Sequence, residues 1–350
     1  MRILLGNHQL ESRAGSELFT AELASAFQAR GHEVAVFTFF KGAIAGELEA
    51  ADVPVFEPED QAAIVSFAPK IVQTNHLPCA HFLRAVVPAA IRVHAILGVT
   101  ALLESPPLDG GAYELGLVIS EEVRDSINRT AFGKSTPIEI FRNWFNEEAV
   151  VEAPDRGQVT RIAVVSNHIA PALSEALREL AADACLEVDY FGIEHNPVVI
   201  DGSLLANYDC VVSIGRTAIL AAACGVPCVM ADIHGSDGLM TAQTLDAARR
   251  VNFSGRLAKT PITAAHLKAE LAKIPTLDRR ALRASVLAEY ALSARAEWLL
   301  ARYEGLSKRR LRGALRRLWA PEVLPPREGL VHAELAAEVR RLRKALAQTR

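Results

Sequence analysis

Three consecutive residues, Gly215, Arg216 and Thr217, have the types and the position expected of an anion-binding turn. They follow a short apolar run over residues 210–214, which is typical of a strand buried on both faces. They also open an Ala- and Leu-rich segment that is typical of a helix. The first N–H groups of a helix have no partner within the helix, and an arginine beside them adds a charged donor. The spacing therefore predicts that this turn binds a phosphate group, the alternative being that Arg216 pairs with a neighbouring carboxylate.

The elements around this turn form one unit. Gly225 and Pro227 are typical of a helix end, and residues 228–231 are a second short apolar run. Strand, tight turn, helix and strand over residues 209–232 predict a parallel α/β sheet. In such sheets ligands bind beyond the carboxyl ends of the strands, which is where Gly215 would lie.

A second polar segment, residues 234–238, follows the strand predicted over 228–231. Gly, Ser and Asp dominate turns, so the segment is open to interpretation as a plain turn. It would also lie at the ligand edge, where it could contact a bound ligand. The candidate ligand-contacting residues are His234, Gly235, Asp237 and Gly238.

The chain opens in the order of a Rossmann unit, although it has no GxGxxG fingerprint. We predict a strand over residues 2–5, a loop over 6–15, a helix over 16–30 and a strand over 34–40. Gly15, Ser16 and Glu17 stand at the helix start. They either bind a ligand there, with Gly15 and Ser16 at a phosphate, or Gly15 is only a turn glycine.

Several histidines follow predicted strands. Asn7-His8 follows the first strand, and Asn167-His168 follows a strand predicted over 161–165, so the two halves of the chain begin alike. His76 and His94 stand near the ends of strands predicted over 71–74 and 91–94. For His94 two interpretations stay open: a core histidine bonded to a backbone carbonyl, or a catalytic residue that bonds a substrate hydroxyl.

Length and pattern predict two α/β domains and a helical extension, because 350 residues exceed one ordinary domain. We place the domains at residues 1–145 and 159–277, with polar residues of 141–158 as the linker. One long helix is expected over 278–304. After Gly305 a basic amphipathic helix is expected over 308–319, ended by Pro321, Pro325 and Pro326. Its cationic residues are Lys308, Arg309, Arg310, Arg312, Arg316 and Arg317, and its apolar residues are Leu311, Leu315, Leu318 and Trp319.

The tail carries Leu335, Val339, Leu342 and Leu346 at heptad spacing, which would suit a homo-oligomer. The basic helix would suit an anionic membrane surface. The net charge of −3 argues against a general nucleic-acid binder.

The five cysteines form no CxxC pair, which favours reduced core thiols. The apolar run at the start is too short for a signal peptide, and no apolar stretch is long enough to span a bilayer. We expect a cytoplasmic protein, bound peripherally to the inner face of the cell membrane if the basic helix acts as predicted.

Four segments together resemble the retaining GT-B glycosyltransferases, and the resemblance covers roughly residues 1–303. The opening MRILLGNHQLESRAGSELFTAELASAFQARGHEVAVFT is similar to the family's first strand, loop and helix. VHAILG, at residues 93–98, resembles its strand-end histidine near the reacting sugar. LVISEEVRD, at residues 117–125, resembles a segment near the end of its first domain. DCVVSIGRTAILAAACGVPCVMADIHGSDGLMT, at residues 209–241, resembles its donor-binding region.

The resemblance implies an α/β fold of two Rossmann-like domains that face each other across a cleft. It implies transfer of a sugar from a nucleotide-sugar donor to a carbohydrate or lipid-linked acceptor, as in surface polysaccharide or glycoconjugate synthesis. The donor is a substrate, and no cofactor or metal is implied. His94 would act at the reacting sugar, and Arg216 with the helix N-terminus would bind the diphosphate. The sugar-contacting residues would be Glu17, His234, Gly235, Asp237 and Gly238.

Two positions depart from the family's pattern. Val212 and Leu220 stand where these enzymes often carry glutamates eight residues apart, and Ser166-Asn167-His168 replaces an Arg/Lys pair. Neither apolar side chain can accept a hydrogen bond from a hydroxyl. Besides the glycosyltransferase, a non-catalytic binding or scaffold protein therefore remains a hypothesis, with a sugar-nucleotide epimerase as a more distant third.

Overall fold

The computed structural model describes residues 1–184, 186–314 and 327–348. The chain forms two compact units. Unit 1 comprises Met1–Ile119, Val123–Phe141 and the described residues of Ala296–Arg350, and unit 2 comprises Ser120–Glu122 and Arg142–Arg295.

Unit 1 is built on a seven-stranded sheet in which all neighbouring strands are parallel. The apolar runs of the first, third, sixth and seventh strands are buried on both faces, as the sequence predicts for a parallel sheet. The spatial order is β5-β3-β1-β6-β7-β8-β9, and a separate parallel pair joins β2 and β4. The strands are β1 Arg2–Gly6, β2 Gln9–Leu10, β3 Glu33–Phe37, β4 Phe40–Lys41, β5 Val55–Phe56, β6 Ile71–Thr74, β7 Ile91–Ile96, β8 Leu115–Val118 and β9 Ile138–Ile140.

Amphipathic helices cover this sheet. α1 buries Phe19, Leu23 and Phe27, and Gly31 follows its end at φ +76°, a conformation that favours glycine. The helices before unit 2 are α1 Gly15–Gln28, α2 Ala43–Ala50, α3 Gln61–Phe67, α4 Leu77–Val86, α5 Glu121–Ile127 and α6 Ala131–Ser135.

Unit 2 is built on a five-stranded sheet in the order β11-β10-β12-β13-β14. The first four strands are parallel and β14 runs antiparallel to β13. Residues 235–238 lie in β14, so most of the segment 234–238 is a strand and not the plain turn that is one interpretation of its sequence. The strands are β10 Arg161–Val165, β11 Glu187–Phe191, β12 Cys210–Ser213, β13 Cys228–Asp232 and β14 Gly235–Leu239.

α9 confirms the helix predicted after the Gly215 turn. α9 ends at Gly225, which has φ +78° as expected of a helix-terminating glycine. The helices are α7 Pro171–Ala184, α8 Gly202–Leu205, α9 Gly215–Cys224, α10 Leu245–Arg249, α11 Ala264–Leu271, α12 Arg279–Glu289, α13 Leu292–Ala314 and α14 Arg327–Gln348. Short 3-10 turns lie at Pro58–Asp60, Leu102–Glu104, Gly110–Ala112, Glu147–Ala149 and Ile274–Thr276.

The single long helix expected over 278–304 is wrong. α12 ends at Glu289 and α13 begins at Leu292. Between them Phe145 forms a bridge with Ala291: its N–H donates to the Tyr290 carbonyl at 2.9 Å, and its own carbonyl accepts from the Leu292 N–H at 3.0 Å. Tertiary hydrogen bonds thus replace helical ones at a point where propensity favours a continuous helix.

The boundary expected at Gly305 is also wrong, because α13 continues through this glycine to Ala314. The chain passes from unit 1 to unit 2 between Phe141 and Arg142, within the residues predicted as linker. Phe141, Trp144 and Phe145 in this segment are buried. Of the expected basic helix, Lys308 and Arg309 are exposed on α13. The side chains of residues 311–319 and the prolines at 321, 325 and 326 lie outside the described residues.

The tail is helical, as α14. Ala333 and Ala336 are buried beside Phe39 and Phe82, whereas the heptad positions Leu335 and Val339 are exposed. The side chains of Leu342 and Leu346 lie outside the described residues.

Cys79, Cys210, Cys224 and Cys228 are free and buried, as expected, and burial raises the pKa of each thiol. Cys185 lies outside the described residues. No helix among the described residues is long and apolar enough to cross a membrane.

β12, which leads to the Gly215 turn, is anchored at its start by Asp209. One carboxylate oxygen accepts from the Thr160 N–H at 2.8 Å, the Thr160 hydroxyl at 2.9 Å and the Arg161 N–H at 2.9 Å. Burial raises the pKa of this carboxyl, but the three hydrogen bonds and Arg156 outweigh burial and hold the pKa below its usual range.

We expect Asp209→Asn to lower the free energy of unfolding by about 2 kcal/mol at pH 7, since hydrogen bonds to a charged group contribute about 1.5–3 kcal/mol. Urea unfolding measures the change. Asp246→Asn is the matched control, because Asp246 is exposed and its ion pair with Arg249, at 2.9 Å, lies within the short helix α10. Equal effects of the two substitutions would contradict the anchoring role.

Candidate functional site

In each unit the strand order reverses at one place, and polar residues follow both strands there. In unit 1 the reversal lies between β1 and β6, which are followed by Asn7-His8 and by Asn75-His76. In unit 2 it lies between β10 and β12, which are followed by Asn167-His168 and by the Gly215 turn. Ligands of open α/β sheets bind at such switch points, outside the carboxyl ends of the strands. We therefore describe one candidate edge in each unit.

The Gly215 turn joins β12 to α9 with almost no intervening chain. Gly215 has φ +56°, and its N–H donates to the Phe253 carbonyl at 3.2 Å. A Cβ at this position would meet only Asn252 within 4 Å, at 3.8 Å from its Nδ2. The glycine is thus required by backbone conformation, and its outer side stays open for close approach of a ligand.

Arg216 lies over the indole of Trp144, with 5.3 Å between the guanidinium carbon and the ring centroid. Trp144 is fully buried, so it is a fixed platform for the cation. The next residue, Thr217, is half-buried, and its hydroxyl makes no hydrogen bond within the described part of the chain. Guanidinium, hydroxyl and the first N–H groups of α9 together form a set of donors suited to an anion.

Trp144 and its neighbour Asn143 were missed at the level of sequence, because residues 141–158 were interpreted as linker. The signal was present in the run FRNWF at 141–145, where three aromatic residues interrupt an otherwise polar stretch. Asn143 Nδ2 donates to Asn252 Oδ1 at 3.1 Å, which brings this run beside the loop that follows α10.

Gly235, Asp237 and Gly238 of the four predicted sugar-contacting residues lie in β14, and His234 directly precedes it. The backbone conformation and packing of the strand explain the two glycines. Gly235 has φ +120°, and a Cβ there would clash with the backbone of Lys259. Gly238 has φ +78° and lies against the carboxylate of Glu270. Asp237 Oδ1 accepts from the Ala258 N–H at 2.7 Å, and its Oδ2 has no partner among the described residues. His234 is half-buried. Contact of these residues with a sugar stays a prediction.

The second Asn-His pair is more exposed than the first. Asn167 Oδ1 accepts from the Ile193 N–H at 3.2 Å, which ties the end of β10 to the loop after β11. His168 is largely exposed, with Nδ1 at 3.2 Å from Glu194. Asn167-His168 thus follows its strand as Asn7-His8 does, but Asn7 and His8 are buried whereas His168 is exposed.

In unit 1 the loop after β1 is fixed to the start of α1. Asn7 is fully buried, and its Nδ2 donates to the Ser16 carbonyl at 2.6 Å and the Thr20 hydroxyl at 3.0 Å. Glu17, also fully buried, accepts from Gln9 Nε2 at 3.1 Å and from the Ser16 hydroxyl at 2.7 Å. A Cβ at Gly15 would meet no atom within 4 Å, so the backbone of α1's first residue is approachable.

His8, His76 and His332 form a buried cluster at the same edge. The His8 N–H donates to His76 Nδ1 at 3.1 Å, and His8 Nε2 lies 3.0 Å from His332 Nε2 on α14. Desolvation lowers the pKa of His8 to about 4, with a further contribution from His332. Desolvation also lowers the pKa of His76 to about 4, helped by His8. Desolvation lowers the pKa of His332 as well. The rings of His8 and His76 are therefore neutral at pH 7.

His94 lies within β7 and is fully buried. Its Nδ1 shares a hydrogen bond of 2.8 Å with the Thr74 hydroxyl, and its ring meets Tyr113 and Phe132 edge-on. Nε2 has no partner among the described residues. Desolvation, aided by His76 and His81, lowers the pKa of His94 to about 3. This is the environment of a neutral core histidine, and action at a reacting sugar stays a prediction.

Within the described residues no three His, Cys, Asp or Glu side chains are grouped so that they could hold a metal ion. No known protein family matches the sequence, and no curated protein matches it.

Solved structures do match the fold. A glycosyltransferase from Rickettsia africae superimposes with a TM-score of 0.62 at 16% identity, over 87% of this chain and 98% of that one. Anabaena HepE, solved with UDP-glucose, gives a TM-score of 0.60 at 14% identity, over 87% of this chain and all of that one. Acinetobacter baumannii MurG gives 0.53 at 10% identity, over 87% and 99%. The fold is that of the GT-B glycosyltransferases.

The α/β class and the GT-B fold expected from sequence are thus confirmed. Val212 and Leu220, the positions at which the resemblance places glutamates, are both buried apolar residues, in β12 and α9 respectively. Each packs in one of the two cores of unit 2, so the GT-B fold tolerates apolar side chains at both places.

The buried histidines predict how stability depends on pH, and His94 gives the clearest test. An unfolded histidine titrates near pH 6.5, whereas the folded pKa of His94 is about 3. Between these values the unfolded chain binds a proton that the folded chain does not. The free energy of unfolding therefore falls as pH drops below about 6.5, by up to about 1.4 kcal/mol per pH unit for this residue.

Urea unfolding between pH 7 and pH 4.5 measures this slope. His94→Gln should reduce it, whereas Thr74→Val should lower stability at every pH and leave the slope in place, because desolvation dominates the pKa. A slope unchanged by His94→Gln would show that the ring takes up its proton in the folded state.

Proposed function

We propose that the protein is a glycosyltransferase that uses a nucleotide-sugar donor, with the donor diphosphate bound at the carboxyl edge of unit 2. The observation that carries the proposal is the turn at Gly215, Arg216 and Thr217, which lies at the switch point of the sheet and presents donors on an open side. The fold supports it, because HepE shares that fold and was solved with UDP and with UDP-glucose.

In the reaction we propose, an acceptor hydroxyl oxygen forms a bond to the anomeric carbon while the bond from that carbon to the diphosphate oxygen breaks. The bonding electron pair stays with the diphosphate oxygen, and the hydroxyl proton passes to the leaving diphosphate. Negative charge then develops on the leaving diphosphate. Arg216 and the first N–H groups of α9 would stabilise that charge, since preorganised donors contribute most where charge develops. Trp144 would hold the guanidinium in place meanwhile. No cofactor beyond the donor forms part of the proposal.

Unit 1 would supply the acceptor side, with Asn7, His8 and His76 close to its carboxyl edge. Gly15 and Ser16 at the start of α1 would offer backbone and hydroxyl groups to a phosphate of the donor, and Glu17 would contact a sugar. A direct role of His94 would require its buried Nε2 to become accessible to the substrate. The retaining stereochemistry, the carbohydrate or lipid-linked acceptor and a part in surface polysaccharide or glycoconjugate synthesis come from the family resemblance.

We also propose a cytoplasmic location at an anionic membrane surface and self-association through α14. Lys308 and Arg309 are exposed on α13, where they could meet lipid headgroups. Leu335 and Val339 are exposed on α14 at heptad spacing. The α14 residues buried in the core of unit 1 are Ala333 and Ala336.

A second candidate, a non-catalytic glycosyltransferase-like binding or scaffold protein, is favoured by one observation. The two positions carry valine and leucine, so neither offers a carboxylate to a ligand. Both side chains are also buried, since Val212 is 2% exposed and Leu220 is 8% exposed. Such a protein would bind the nucleotide-sugar without turning it over. Turnover of donor into sugar product or free nucleoside diphosphate separates the two candidates.

We expect Arg216→Ala to weaken binding of the donor at least several-fold while the fold survives, because it removes a charge-assisted phosphate contact. Isothermal titration calorimetry with UDP-, GDP- and dTDP-sugars identifies the donor and measures the loss. Arg216→Lys should restore only part of the affinity, since ammonium is not planar. Arg280→Ala, at an exposed arginine of α12, is the control. Equal affinities of the Arg216→Ala and Arg280→Ala variants would refute the role of Arg216.

The membrane proposal is tested by co-sedimentation with vesicles of phosphatidylcholine, with and without phosphatidylserine. We expect binding only to the anionic vesicles, weakened by salt. Replacing Lys308, Arg309 and Arg310 with glutamine should weaken it roughly tenfold or more, since each cation contributes about 1 kcal/mol near an anionic surface. The exposed pair Lys268 and Arg280, changed likewise, is the control. A full chain that stays in the supernatant at low salt would refute the proposal.

A further inference from the structure

The loop after α10 has an unusual backbone beside the Gly215 turn. Asn252 and Phe253 both have φ +55°, and Gly255 has φ +73°. Left-handed conformation is rare for residues other than glycine, and it persists only where the surroundings impose it. Phe253, a bulky residue, is therefore a clear exception, and the packing around it shows what imposes the conformation.

Four contacts fix the loop. The Phe253 N–H donates to the Ala248 carbonyl at 2.9 Å, and the Phe253 carbonyl accepts from the Gly215 N–H. The Phe253 ring is buried and meets Tyr290 edge-on, with 5.8 Å between centroids. At the far end, Arg256 holds Glu122 through two nitrogens, at 3.0 Å and 2.7 Å. The loop is thus rigidly attached to the turn that we propose binds the diphosphate.

This arrangement orients the side chain of Asn252. Its Oδ1 accepts from Asn143 Nδ2 at 3.1 Å, which leaves Nδ2 as the free end of the amide. Nδ2 lies 3.8 Å from the point that a Cβ on Gly215 would occupy, and it has no acceptor within the described ranges. Ser254, two residues on, is 3% exposed, and its hydroxyl also has no partner among the described residues.

We propose that Asn252 is a further ligand-binding residue of this site, whose Nδ2 donates to a phosphate oxygen of the bound nucleoside diphosphate. Asn143 would be a positioning residue, acting through its hydrogen bond to Asn252. The inference rests on the proposed function and adds a contact from a loop that the sequence did not single out. An anion is the fitting ligand, because Arg216, Thr217 and the start of α9 supply donors on the same side.

Two substitutions test the contact without disturbing the backbone. Asn252→Gly deletes the amide and keeps the left-handed conformation, which glycine adopts freely. Asn252→Asp keeps the shape and replaces the donor with a negative charge, and Asp also tolerates this conformation. Asn207→Asp is the matched control, since Asn207 is exposed and its side-chain Nδ2 donates to the Ser203 carbonyl at 2.8 Å.

Calorimetry with UDP and with inorganic pyrophosphate is the measurement. We expect Asn252→Gly to weaken both ligands about tenfold, the factor that corresponds to one hydrogen bond to a charged group. Asn252→Asp should weaken them further at low salt, and Asn207→Asp should change neither. Asn143→Ala should weaken binding less than Asn252→Gly and add little to it in the double variant, because both act through one amide.

A spectroscopic readout covers the case in which a variant folds poorly. In protein labelled with ¹⁵N-asparagine, the side-chain amide signal of Asn252 should shift when UDP is added, and that of Asn207 should not. Affinity unchanged in Asn252→Gly, while Arg216→Ala weakens UDP, would overturn this inference and leave the proposed function intact. Failure of the unsubstituted chain to bind any nucleoside diphosphate or pyrophosphate would overturn both.

Discussion

The candidate site of unit 2 depends on one backbone constraint: only Ile214 separates β12 from α9, and Gly215, the first residue of α9, has φ +56°. Only glycine adopts this conformation without strain. Because the turn is so short, the first N–H groups of α9 come directly to the carboxyl edge of the sheet, where the dipole of the helix is positive. The Phe253 carbonyl takes the Gly215 N–H, so the neighbouring loop is fixed by the same turn.

Unit 1 is made rigid in a different way: polar side chains at the ends of its strands are buried away from water. His8, His76 and His94 are all neutral because burial disfavours the imidazolium form. Neutral histidines accept as well as donate, so they join the ends of neighbouring strands by hydrogen bonds without introducing charge. The His8 pair with His332 extends this network to α14, and Arg340 on the same helix reaches Glu59 on the surface. The C-terminal helix is thus attached to the edge of the sheet by both buried and exposed polar contacts.

Sequence reasoning succeeded where structure is set by neighbours along the chain. The apolar run before Gly215, the glycine at the end of α9 and the α1 face of Phe19, Leu23 and Phe27 follow from local periodicity and from glycine alone. It failed where distant segments decide. The break between α12 and α13 results from hydrogen bonds to Phe145, nearly 150 residues away, and no residue at 290–291 disfavours a helix. Trp144 and Asn252 belong to the site only because folding brings 143–144 and 252 to Gly215, and neither follows a predicted strand.

The apolar residues at Val212 and Leu220 bear on how such a site could have evolved. A glutamate in the buried strand β12 would require hydrogen-bond partners inside the core, because an unpartnered buried carboxylate is costly. Val212 and Leu220 avoid that cost. Under the proposed function, the donors at the turn would then be the main source of recognition, and they would bind the diphosphate rather than the sugar. UDP-, GDP- and dTDP-sugars share that diphosphate, so discrimination between sugars would have to come from other residues. Asp237, with one carboxylate oxygen unpartnered among the described residues, is a candidate in unit 2.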